Sequence, residues 1–176
     1  MTELENKVTP ALSSLIGLNL TIAKSTGDLR AFHFGAVEVV GKALMGMYSL
    51  HLSCPWRIEK DEKIIIGSGD HYERAEDNKN PTWEVGMIWG TYQQQVLRQI
   101  LGGVDPETNT IINDGELMVV ESVAADSYCG ATISFSTGYR LVVFPSSARG
   151  EHWRLLPPGD GPHFVVEAGE AYGGWT

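Results

Sequence analysis

Ile133–Leu156, ISFSTGYRLVVFPSSARGEHWRLL, decides the fold class of this chain. Ile133 and Phe135, then Leu141 and Val143, alternate with smaller or more polar neighbours, and Phe144 extends the apolar run. Such alternation places one set of side chains on one face of a strand. Thr137-Gly138 lies between the halves, and glycine reaches the positive φ that a tight hairpin turn requires. Pro145 lacks a backbone donor and closes the second strand. After a polar Ser-Ser-Ala-Arg-Gly loop, the tetrad Glu151-His152-Trp153-Arg154 opens a further strand. Period-two geometry there puts His152 and Arg154 on one face, Glu151 and Trp153 on the other. Trp153 then serves as a core anchor and Arg154 as one arm of an ion pair at a sheet edge.

The same grammar extends toward the N-terminus. Leu18, Leu20 and Ile22 alternate, Ser25–Asp28 turns the chain, and Leu29–Phe34 runs back. Residues 21–27, TIAKSTG, match residues 132–138, TISFSTG, at five of seven positions. A duplicated hairpin and the shared composition of hairpins both account for this, and the match is far shorter than a full repeat. Tyr48, Leu50 and Leu52 alternate with Ser49, His51 and Ser53, and Pro55 ends that strand. Trp56–Ile58 and Ile64–Ile66 flank the charged turn Glu59–Lys63. Gly67-Ser68-Gly69-Asp70 is a sharp turn, and 71–82, HYERAEDNKNPT, an exposed loop. Gly35–Gly46 reads as a strand followed by a loop or helical turn.

Two short helices are expected. Thr9 as N-cap, Pro10 at the first helical position and Gly17 as the stop define one. Thr91 and Gln94 form a capping-box pattern for the other, whose stripe is Tyr92, Val96, Leu97, Ile100 and Leu101. Trp83, Val85, Met87 and Trp89 share one face of an expected strand before it. Val104–Glu116 reads as a loop, Leu117–Ala124 and His163–Glu167 as strands. The sum is about nine or ten strands joined by turns rather than by helices, which points to an α+β class. The expected architecture is a mostly antiparallel, strongly bent sheet or partial barrel with two short helices. One domain spans 1–176, with an ordered core over 9–167 and a loose tail at 168–176.

Composition narrows the function classes. A net charge of −9 disfavours nucleic-acid binding, which needs clustered Lys and Arg, and suits a protein partner with a basic surface. Cys54 and Cys129 lack CxxC spacing and read as reduced thiols. The polar start MTELENKVTP is not a secretory signal, and no window reaches the length of a membrane span. The expectation is a cytoplasmic protein with no membrane contact.

Few side chains fall into a chemical pattern. His51 and Cys54 suggest a thiol dyad, but an offset of three along one strand sends them to opposite faces. Asp70 and His71 follow a glycine turn, where Asp70 is expected to bond turn amides and His71 to be solvated. No metal-ligand spacing, nucleophile elbow or dinucleotide loop is present, so neither a metal nor another cofactor is implied and no residue is assigned as catalytic. The candidate binding residues are His51, Arg57, Asp70, His152 and Arg154. Cys54-Pro55-Trp56-Arg57, Gly67-Ser68-Gly69-Asp70, Glu151-His152-Trp153-Arg154 and the opening LIGL at 15–18 together resemble a group of small uncharacterised bacterial proteins. That resemblance implies a single bacterial domain and carries no mechanism.

Three function classes therefore stand open. One is an acidic protein-binding module, such as an immunity or antitoxin-like inhibitor of a basic partner. Another is a small-molecule-binding protein or enzyme whose polar cleft is formed by His51, Arg57, Asp70, His152 and Arg154. The third is a self-associating structural protein, a homodimer joined through Trp83 and Trp89 or through edge strands.

Overall fold

The computed structural model describes residues 5–173 apart from 42, 88, 106, 107 and 109. Helix α1 (Glu5–Ser13) leads into strands β1 (Asn19–Thr26), β2 (Leu29–Val40) and β3 (Ala43–Leu52). Strands β4 (Trp56–Lys60) and β5 (Lys63–Gly67) follow, then a 3₁₀ turn (Ser68–Tyr72) and helix α2 (Tyr92–Leu101). A small hairpin, β6 (Gly103–Asp105) and β7 (Thr110–Ile112), stands apart from the main sheet. The chain continues through β8 (Met118–Ala125), β9 (Ala131–Phe135) and β10 (Arg140–Val143). It closes with β11 (Glu151–Leu156), β12 (Phe164–Glu167) and β13 (Glu170–Tyr172).

Eleven strands make one sheet in the order β13-β12-β11-β3-β2-β1-β8-β9-β10-β4-β5, and the two α-helices complete the α+β class. Every pairing is antiparallel, and the sheet stays open, with β13 and β5 at its edges. It also bends sharply. β1 pairs with β8 at Asn19–Val119 and Leu20–Met118, and Gly17 and Leu18 just before it bond Val120, so the two limbs pivot about a short contact. The Trp153 indole on β11 donates to the Cys129 carbonyl, just before β9, at 2.8 Å. Five inter-strand steps separate β11 from β9, which in a flat sheet is roughly 24 Å at about 4.8 Å per strand. A side chain spans that gap only because the limbs face each other.

The core lies between the limbs. Phe32, Phe34, Leu50, Leu52, Trp153 and Leu155 come from one limb, and Ile58, Ile133, Phe135, Leu141 and Val143 from the other. Val8 and Leu12 of α1 and Val96, Leu97, Ile100 and Leu101 of α2 join the same core. Thr91 caps α2, its hydroxyl accepting from the Gln94 N–H at 3.2 Å. No helix among the described residues is long and apolar enough to cross a membrane.

Several local expectations are corrected. α1 starts at Glu5, so Pro10 sits inside it; the buried Val8, Leu12 and Leu15 offset the backbone bond that proline removes. Residues 35–46 form one long β2–β3 arm with a bulge between Phe34 and Val37, and Val39 and Val40 lie exposed near its tip. Trp83, Val85, Met87 and Trp89 lie outside any strand: Gly86 and Gly90 have positive φ, and the Trp83 indole donates to the Trp89 carbonyl at 2.9 Å. The expected loop after α2 holds the β6–β7 hairpin. Within the expected tail, β13 pairs with β12 as far as Tyr172. Ala168 and Gly169, both at positive φ, make the two-residue turn that returns β13 along β12. Residues 174–176 of that expected tail lie outside the described residues.

Candidate functional site

Strand parity puts an arginine where a core residue belongs. Arg30, Phe32 and Phe34 share one face of β2, and Arg30 lies across from Leu52 of the core. Arg30 is only 3% exposed, yet no ion pair compensates it among the described residues. Its guanidinium donates to the Gln93 side-chain oxygen. Burial pulls the Arg30 pKa down to about 10.

Gln93 is held with equal care. It occupies the first position of the buried α2 stripe Gln93, Val96, Leu97, Ile100 and Leu101, spaced at helical intervals. Its amide nitrogen donates to the Gly67 carbonyl at 2.7 Å, which fixes the amide so that its oxygen faces Arg30. Both side chains line a cavity of about 260 Å³ at one end of the core. The β1–β2 turn, the β3–β4 connection from Ser53 to Trp56 and the 3₁₀ turn form its other walls. Trp56 stands edge-on to Phe32 with ring centroids 5.1 Å apart, and His71 stands edge-on to Tyr72 at 5.5 Å. Arg30 also borders a second cavity of about 370 Å³, beneath Leu97 and Arg98.

Cys54 lines the first cavity but is no activated nucleophile. Burial pushes its thiol up to about 12, so it stays protonated at neutral pH. The suggested dyad with His51 is absent: Cys54 belongs to the core, whereas His51 lies across from Arg154 on the other face of the sheet. His71 is buried at the cavity wall, not solvated as the sequence suggested. Asp70 takes its expected part, accepting from the Gly67 N–H at 2.7 Å.

The five residues singled out from the sequence do not gather. None of them lines this cavity or either of the other two. His51 and Arg154 are cross-strand neighbours outside the core; Arg57 lies on β4 over the Phe144 ring, and Asp70 is engaged in its turn. His152 is buried with Nε2 unpartnered, and its carbonyl accepts from the Ser53 N–H at 2.8 Å. The tetrad also departs from simple alternation. A bulge between Glu151 and Trp153 brings the Glu151 carboxylate onto Arg154, with Nε 2.6 Å from Oε1. β11 pairs on both sides and is not an edge strand.

The outer face carries a titrating group. His33 is 2% exposed, its Nδ1 accepts from the Gly46 N–H at 3.2 Å, and burial pulls its pKa down to about 4. Lys24 and His51 push it the same way. A histidine kept neutral in the fold, with an ordinary value near 6.5 when unfolded, stabilises fully above pH 6.5. That contribution is lost as pH falls from 6.5 toward 4. At pH 5 the loss is expected to be about 2 kcal/mol. His33→Asn keeps an acceptor for Gly46 and removes the titration, so urea unfolding of the variant is expected to show a flatter pH profile over that window. An unchanged profile would assign the acid sensitivity to other groups.

These observations define an open, folded-over antiparallel sheet with an uncompensated cation in a cavity at the end of its core. No family model, curated protein or solved structure matches the chain.

Proposed function

We propose that the protein binds a small anionic molecule in the Arg30 cavity. One observation carries this reading: an arginine 3% exposed at the wall of a cavity, with a neutral amide in place of a counter-ion. A buried charge is costly unless it is paired. A fold that keeps one at the wall of an open cavity supplies an anion site whose selectivity comes from that cost. A hydrogen-bonded carboxylate or phosphate oxygen completes the pair and strengthens in the low dielectric. The role assigned is binding, with no bond-making step. The reading of an acidic module for a basic protein partner rests on the net charge of −9, the lack of a catalytic constellation and the acidic loop 73–77.

Thermal unfolding at constant ionic strength tests the proposal. Acetate, benzoate and inorganic phosphate are added separately to the wild type and to Arg30→Met. A ligand at about one hundred times its dissociation constant adds about 2.7 kcal/mol, which corresponds to a rise of about 5–10 °C for a chain of this size. At least one anion is expected to raise the wild-type midpoint and leave Arg30→Met unmoved. Equal shifts in both proteins, or none in either, would remove the reading.

A further inference from the structure

The charge, shape and size of the same cavity specify its ligand further, a step that rests on the anion-binding reading. We infer that the ligand is a monocarboxylate carried on a single aromatic ring, of about the size of benzoate.

Charge comes first. Arg30 is the one Lys or Arg among the lining residues, and Asp28, on the exposed β1–β2 turn, is the one carboxylate. A second anionic group on the ligand finds no second Lys or Arg among the described lining residues and meets Asp28 instead. One guanidinium N–H is already given to Gln93. The rest of the planar fork matches the two oxygens of a carboxylate.

Shape and size then act together. Besides the charge, Leu29, Cys54, Pro55, Trp56 and Tyr72 supply apolar and aromatic lining. Trp56 is fixed by its edge-on contact with Phe32, so this wall is formed before a ligand arrives. About 260 Å³ falls below the roughly 300–1,000 Å³ of sites for drug-sized ligands. It exceeds the roughly 150 Å³ that admits benzene into a protein interior. One ring with a carboxylate fits this volume. An alkyl acid as short as acetate leaves the aromatic wall uncovered.

Calorimetric titration of the wild-type protein at low salt tests this with five probes: benzoate, benzamide, acetate, succinate and inorganic phosphate. Benzoate is expected to bind at least tenfold more tightly than each of the others. The comparison with benzamide isolates the charge without a substitution, so it does not depend on any variant folding. Nuclear Overhauser contacts from the benzoate ring are expected to reach Trp56 and Tyr72. Tighter binding of phosphate or succinate overturns the aryl monocarboxylate and leaves an anion site standing. Equal binding of benzoate and benzamide overturns this inference and the anion site together, as does silence from all five probes. Ring contacts to Ile22 and Leu97 in place of Trp56 transfer binding to the neighbouring cavity and overturn the assignment to this one.

Discussion

Trp153→Ala is expected to lower the unfolding free energy by about 3–5 kcal/mol. The indole is 1% exposed, lies 5.6 Å from the Phe164 ring and bonds the Cys129 carbonyl across the core at 2.8 Å. Truncation removes that burial, opens a cavity between the limbs and leaves a buried carbonyl without its donor, which alone costs about 1–3 kcal/mol. The acceptor is itself held in place. Cys129 sits at φ 62, where side-chain-bearing residues are disfavoured, and the Asp126 carboxylate pins its neighbours by accepting from the Tyr128 and Gly130 N–H groups at 2.8 Å. The carbonyl therefore has no easy route to another donor. Against a typical total of about 5–15 kcal/mol, the change is large enough to populate unfolded chains at physiological temperature. Trp153→Phe retains most of the apolar surface and loses the bond, so a smaller loss is expected. Urea unfolding followed by far-ultraviolet circular dichroism measures both. A loss below about 1 kcal/mol for the alanine variant would mean that the limbs are held together elsewhere.

The β-architecture was legible because alternation and turn chemistry are local. Gly27-Asp28, Asp61-Glu62 and the glycine after Thr137 mark three hairpins that pair as the sequence pattern requires. The α2 cap was legible for the same reason. The Glu151–Trp153 bulge was not: one inserted residue reverses parity, and nothing in the tetrad announces it. β13 was hidden because Ala168-Gly169, a turn by its dihedral angles, reads as part of a glycine-rich tail.

The Arg30–Gln93 contact was present in the sequence as two breaches of phase. Arg30 shares parity with Phe32 and Phe34 in LRAFHF, and Gln93 stands three, four, seven and eight residues before Val96, Leu97, Ile100 and Leu101. Each alone reads as an imperfect stripe, and Tyr92 beside Gln93 supplies an apolar residue to take its place. Their meaning appears only when chain topology brings together two positions 63 residues apart. His152 and Arg154 attract notice as a tetrad, yet the fold spends them on the bulge and on a pair with Glu151. Polar residues at core phase on two elements give a better search pattern than polar residues close together in sequence.

Gln93→Leu, the second large effect, separates a cation kept for a ligand from one that props up the fold. In the wild type the substitution removes the hydrogen bond that serves the Arg30 charge and the bond to the Gly67 carbonyl. Losing the first costs about 1.5–3 kcal/mol, because a buried charge is left without its partner, and losing the second about 0.5–1.5 kcal/mol. The expected sum is about 2–4 kcal/mol in chemical unfolding. In an Arg30→Met background only the second cost remains, so Gln93→Leu should destabilise by about 1 kcal/mol and the cycle should show a coupling of about 1.5–3 kcal/mol. Arg30→Met together with Gln93→Leu removes the buried charge and the amide that serves it. That pair is expected to be at least as stable as Gln93→Leu alone, since a buried charge replaced by an apolar side chain is often neutral or stabilising. Stability is then expected to run opposite to anion affinity, with the wild type responding to anion and the double variant folding without responding. If Arg30→Met alone costs more than about 3 kcal/mol, the guanidinium is a structural strut and is not free to hold an anion. If the coupling is near zero, the Arg30–Gln93 contact does not hold the charge, and the cavity loses the feature on which its selectivity depends.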